Sequence, residues 1–143
     1  MSGYQVEKQL VLNYYQELDS SSKNNITMVM ERYLDANYIW RGFHPFNEQS
    51  SANAVSELFW QPLRHALQNM QRRMDIFMAG RNEIDGFESV WVTSMGHLMG
   101  LFDNEWLGIN PTGKMIFLRY CEFNKIEDGK IIETAMFFDI PIL

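Results

Sequence analysis

The sequence predicts one α+β domain in which helices come first and an antiparallel sheet follows. Three observations carry this reading. Apolar residues recur at helical spacing through the first third of the chain, and from Arg73 the period changes to two. Asp128-Gly129 then separates two strand-like runs with the strongest short hairpin signal, because both central residues of a type I′ turn need positive φ. Helices grouped before strands pack on one face of the sheet.

Taken in order, Val6, Leu10, Tyr14 and Leu18 mark a first helix that Ser20-Ser21-Ser22 closes. Asn24 or Asn25 is placed to cap a second helix whose stripe is Ile26, Val29, Met30, Tyr33 and Leu34. Asn37–Phe43 is short, aromatic and extended, and it ends at His44-Pro45, with a loop through Ser51. Ala52–Met70 reads as a third helix with Val55, Leu58, Phe59, Leu63, Ala66, Leu67 and Met70 inward. Pro62 inside it removes a hydrogen bond and predicts a kink. Met74–Gly80 follows as a strand, Glu83–Gly86 as a turn region, and Ser89–Phe102 as a long strand with Trp91, Thr93, Met95, His97 and Met99 on one face. Asn110-Pro111-Thr112-Gly113 marks a loop before the closing hairpin.

Composition narrows the function. At 143 residues the chain, taken as one domain over 1–143, is long enough for a sizeable core. Aromatic residues make up 14% and there are ten Met, which suits either a lined apolar cavity or a well-filled core. A net charge of −6 argues against nucleic acid as a partner, and Arg72-Arg73, the one adjacent basic pair, reads as a solvated strand end. One cysteine, Cys121, forms no internal disulfide and suits a reducing compartment. There is no basic-then-apolar leader pattern and no apolar run approaching ~18 residues, so the expectation is a cytoplasmic protein with no membrane association.

The hairpin poses the chemical question. With a two-residue turn Glu127 pairs with Lys130, and Leu118, Tyr120 and Glu122 share a face with Ala135, Phe137 and Asp139. Carboxylates among apolar neighbours either line a wet pocket or are paired, since an unpaired buried charge is costly. A pocket is the expectation.

These residues also carry a likeness. Gly96-His97, then Leu107-Gly108-Ile109-Asn110-Pro111-Thr112-Gly113, then Asp128-Gly129-Lys130-Ile131-Ile132-Glu133, with Trp40-Arg41-Gly42-Phe43-His44-Pro45 upstream, resemble the SnoaL-like polyketide cyclases of the NTF2-like superfamily. The resemblance implies a cone-shaped α+β barrel, a curved antiparallel sheet wrapped around the N-terminal helices. It also implies a homodimer built through the sheet, and a pocket for a small apolar or aromatic, polyketide-like substrate. It implies carboxylate acid/base chemistry with no metal or cofactor.

Glu122 falls near the position of the family's acidic residue, which is an Asp there, and is the first catalytic candidate. Among Tyr120, Phe137 and Ala135 its charged form is disfavoured, which raises its pKa toward a range useful for proton abstraction. The bland alternative is a carboxylate paired with Arg119 or another base at the sheet rim. His97 matches the family's strand histidine, placed to hydrogen-bond a substrate carbonyl or share a proton with Glu122, or else to be a satisfied core residue. Trp40, His44, Tyr120, Trp91, Met95, Phe137 and Asp139 are the candidate substrate-binding residues; Asp139 is too far along the ribbon from Glu122 for a carboxylate dyad.

His44, His65 and His97 have no metal-ligand spacing. Ser94 in S-M-G-H is no nucleophile elbow, and Cys121, opposite Glu122, reads as a small buried hydrophobe. Two functions follow. One is a cofactor-independent cyclase or isomerase in which Glu122 abstracts a proton beside a carbonyl. The other is a non-catalytic NTF2-like ligand-binding or dimerisation module, which a Glu122 tied in a salt bridge would favour.

Overall fold

The structure, a computed structural model, describes residues 4–42 and 46–139. Helix α1 (Gln5–Ser20) buries Val11, Tyr14, Tyr15 and Leu18, whereas Val6 is exposed: the stripe that meets the core starts one turn later than its apolar spacing suggests. A 3₁₀ turn at Lys23–Asn25 leads into α2 (Ile26–Tyr33), and no side-chain hydrogen bond from Asn25 caps it. Leu34 leaves the predicted helical stripe and opens strand β1 (Leu34–Arg41), because it pairs with Ile131 far along the chain. Strand β2 (Glu48–Gln49) is short.

The third helical stretch is capped by Ser51, whose hydroxyl accepts from the Ala54 N–H. It runs as α3 (Ala52–Val55), a π turn (Ser56–Trp60) and α4 (Gln61–Ala66). The widened turn ends two residues before Pro62, the residue that removes a helical hydrogen bond. The helix stops at Ala66 rather than Met70. Strand β3 (Leu67–Arg81) begins at once, because Leu67 and Gln68 pair with Phe102 and Leu101 at the far end of β4 (Val90–Phe102).

β5 (Met115–Glu127) and β6 (Lys130–Asp139) form the hairpin, with Asp128 at φ 51° and Gly129 at φ 74°, as a type I′ turn demands. The six strands lie in the order β2-β1-β6-β5-β4-β3, an open sheet. All neighbours are antiparallel except β1, which runs parallel to β6. Register slips along β3, at Gln68/Gln71 and Met74/Ile76, are bulges of the kind that bend a strand over a core.

One bulge changes which residues share a face. Beyond the turn Glu127 pairs with Lys130 and Ile126 with Ile131, but Lys125 then pairs with Glu133, so Ile132 is an extra residue. Glu122 therefore opposes Met136, and Ala135 and Phe137 turn to the outer face. The expected grouping of Leu118, Tyr120 and Glu122 with Ala135, Phe137 and Asp139 is corrected accordingly. The inner face of β4 and β5, against the helices, is Val92, Ser94, Gly96, Leu98, Ile116, Leu118, Tyr120, Glu122 and Asn124. An aromatic cluster fills the end near β1, with Trp40, Phe46, Trp60 and Phe138 around Phe59 at centroid distances of 4.8–5.3 Å, apart from the looser Trp40–Phe46 pair.

Candidate functional site

A polar network lies inside this apolar shell. Glu122, 2% exposed, projects inward from the middle of β5. Arg72 reaches it from β3, with Nη1 donating to Glu122 Oε1 at 3.0 Å. The same guanidinium donates through Nε to Asp19 Oδ2 of α1 at 2.8 Å and through Nη2 to Asp19 Oδ1 at 3.4 Å. Arg72 also lies over the Tyr15 ring, 3.8 Å from its centroid, and 5.1 Å from that of Tyr120, so aromatic faces receive the cation where water does not. Beside this triad, Asn124 Nδ2 donates to the Tyr15 hydroxyl at 3.0 Å and Thr134 Oγ1 to Asn124 Oδ1 at 2.8 Å, while the Tyr15 hydroxyl and Ser94 Oγ share a hydrogen bond of 2.8 Å.

Electrostatics follow from burial. Desolvation raises the Glu122 pKa, and the Arg72 charge opposes this without cancelling it. Desolvation works against the charged form of Arg72, but the Asp19 and Glu122 carboxylates outweigh it and the guanidinium stays charged. Tyr14, Tyr15 and Tyr38 are pushed well above the usual phenol range, first by burial and then by nearby charges or phenols. Tyr120 is raised too, chiefly by burial and against the lowering effect of Arg72 and Ser94 beside it, and its buried hydroxyl makes no hydrogen bond of good geometry to either. The indole N–H groups of Trp40 and Trp106 are likewise buried and unpartnered. A carboxylate, a guanidinium and an unused hydroxyl among aromatic rings can move a proton and hold a developing oxyanion.

The predicted residues divide between the two sheet faces. Glu122, Tyr120 and Trp40 are inside. His97, Trp91, Met95 and Phe137 are on the outer face, because β4 alternates with Ser94 and Gly96 inward and because the β6 bulge turns Phe137 outward. His97 pairs across the sheet with Arg119, and its Nδ1 is 3.5 Å from Asp75 Oδ2; it shares no face with Glu122, and its proposed partnership with that carboxylate is corrected. Trp91 donates its indole N–H to Ser89 Oγ at 2.9 Å. Asp139 takes the strand position opposite Arg119, though its side chain lies outside the described residues, as does His44. Cys121 is on the outer face and half-buried, with burial raising its thiol pKa.

Met95, Tyr120 and Phe137 meet at one cleft of about 320 Å³, completed by Arg119, Cys121 and Phe138. Trp91 and Phe123 line an outer-face groove of about 480 Å³, and a polar cleft of about 530 Å³ lies at the opposite end of β3 beside Asp19. Glu122 lines none of these three. Among the described residues no three His, Cys, Asp or Glu side chains gather to hold a metal ion, and no helix is long and apolar enough to cross a membrane.

Arg72 and Asp19 are the site residues that sequence reasoning missed. A signal was present: Met70 and Arg72 have the same parity, so a strand that buries Met70 turns Arg72 inward and Arg73 out. Asp19 left no such trace, because its partner is 53 residues away.

No family model matches the chain, and no curated protein does. Solved structures do. A proposed SnoaL-like polyketide cyclase from Jannaschia sp. CCS1 superposes with a TM-score of 0.74 at 16% identity, over 97% of this chain and 90% of that one. AclR, a proposed hydroxylase from Streptomyces galilaeus, gives 0.71 at 19% identity over 93% and 75%. An NTF2-like protein from Burkholderia thailandensis gives 0.65 at 17% over 92% and 89%. The fold is thus the NTF2-like α+β cone of the SnoaL-like structures, and the different names attached to it show that the fold alone names no reaction.

Proposed function

Given a SnoaL-like fold around a buried carboxylate–guanidinium pair, we propose a cofactor-independent cyclase- or isomerase-type enzyme for a small apolar, oxygenated, polyketide-like molecule. The observation that carries this is the Glu122–Arg72 pair itself. A buried ion pair is an expensive way to stabilise a core, because hydrophobic residues of equal volume often do as well or better. Its presence in an aromatic interior beside the Tyr120 hydroxyl fits a site that handles charge. In this mechanism Glu122 removes a proton from carbon beside a carbonyl, and the electron pair moves to the carbonyl oxygen. Arg72 and Tyr120 donate to that oxygen, in the role first considered for His97.

The test is deuterium exchange at the α-carbon of 2-acetylnaphthalene in D₂O, followed by proton NMR. Wild-type chain should accelerate exchange, with a rate that rises with pH through a midpoint above the ordinary carboxyl range, because the base must be ionised. Glu122→Gln should lose about 10²–10⁴-fold.

A second reading has its own observation. Glu122 is held by Arg72 and almost fully covered, which suits a non-catalytic binding or dimerisation module. Saturable binding of the ketone without exchange would replace the enzyme with that module. Absence of both binding and exchange would remove the small-ketone site altogether.

We also propose a homodimer through the outer sheet face, where Ile76, Met78, Met115, Phe117 and Phe137 are exposed.

A further inference from the structure

Asp19 sits where a carboxylate is poorly placed by local rules. It is in the last turn of α1, whose carbonyl end already carries partial negative charge. Two arginines compensate. Arg64 donates to the Leu18 and Ser21 carbonyls of that helix end, at 3.1 and 2.5 Å, and Arg72 takes the Asp19 carboxylate in a two-point contact. Glu122 receives a single contact from the same guanidinium. One cation therefore serves two carboxylates, and the one at the helix end holds it by more bonds.

We infer that Asp19 is a positioning residue for the proposed site: it fixes the Arg72 guanidinium against Glu122 while drawing off part of its charge, so that Glu122 remains a usable base. An arginine devoted to Glu122 alone would hold the carboxylate ionised and too weakly basic to take a proton from carbon. The other titratable groups whose charge bears on Glu122 are Tyr14 and Tyr15 of α1, Tyr38 of β1, and Tyr120 and Cys121 of β5; burial holds each of them neutral. The balance rests on Arg72 and Asp19. Their exposures also differ: the Asp19 side chain is 19% exposed and lines the polar cleft of about 530 Å³ with Lys23, Arg64 and Gln71, whereas those of Arg72 and Glu122 are each 3% exposed.

This inference rests on the acid–base reading of Glu122, but its test does not need turnover. The Glu122 carboxyl carbon is followed by ¹³C NMR over a pH series and assigned by its loss in Glu122→Gln. In Asp19→Asn the Glu122 midpoint should move to lower pH, since a neighbouring negative charge has gone and Arg72 is undivided. Asp19→Glu should return it toward wild type. An unchanged midpoint, or a rise from Arg72 swinging away, overturns the inference. Should Asp19→Asn fail to fold, the wild-type chain still decides: NMR couplings across hydrogen bonds from the Arg72 guanidinium must reach both the Asp19 and the Glu122 carboxyl carbons, and a coupling to Glu122 alone refutes the shared contact. Exchange activity failing while these shifts hold would remove the enzyme reading and leave the electrostatic role of Asp19 intact.

Discussion

The Tyr120 hydroxyl and the Glu122 carboxylate are two residues apart on one strand face, yet they are treated oppositely by their surroundings. Glu122 has a cation, while the hydroxyl of Tyr120 is desolvated with no partner. A buried polar group without a hydrogen bond costs folding free energy, so removing it should help. Tyr120→Phe is therefore expected to raise stability by about 1 kcal/mol in urea denaturation, and to lower α-proton exchange if the hydroxyl holds the enolate oxygen. A variant that is less stable than wild type would show that the hydroxyl is satisfied in the folded protein. Glu122 was legible at this scale, since its parity with Leu118 and Tyr120 fixes its face. Arg72 was half legible, through its parity with Met70. His97 was misplaced because helix and sheet packing, not the apolar character of its own face, decides which side of β4 is covered.

At the scale of elements, the passage of β3 over β4 fixes where Arg72 arrives. Gly96 makes this possible: a Cβ there would lie 1.8 Å from the Arg73 carbonyl oxygen, a clash with backbone that no rotamer relieves. At Gly100 the nearest atom is the Leu67 Cβ at 2.8 Å, and the Gln68 carbonyl oxygen is 3.3 Å away. Gly96→Ala should thus cost about 1–3 kcal/mol or more and Gly100→Ala less. Gly96→Ala should also disturb the Arg72–Glu122 contact, visible as a shifted Glu122 carboxyl resonance. Equal costs at the two glycines would contradict this picture of the crossing. The hairpin turn was readable from Asp128-Gly129, but the bulge at Ile132, the third residue beyond the turn, was not. A bulge answers to the bend that the whole sheet requires, and one extra residue moved Ala135 and Phe137 to the other face.

For the whole molecule, the two sheet faces have different tasks. The inner face packs on the helices and encloses the polar network; the outer face leaves Met78, Phe117 and Phe137 in solvent. The sheet dimer proposed above would cover this face with a second copy. Phe137→Glu is expected to convert a dimer into a monomer in sedimentation velocity while leaving the Glu122 titration unchanged. A wild-type chain that sediments as a monomer at tens of micromolar (roughly, against an interface meant to be stable) would dismiss the sheet dimer.

The sequence by itself determined the order and class of the elements, the hairpin turn, and the inward Glu122, because these depend on local spacing and on chain chirality at a turn. Its motifs also pointed to the SnoaL-like fold that the solved structures share. Only the tertiary structure decided where β3 begins, that β1 runs parallel to β6, and that Asp19 and Glu122 share one guanidinium. Those features come from contacts between residues far apart in the chain, where pairing geometry and the need to neutralise buried charge outweigh any local preference.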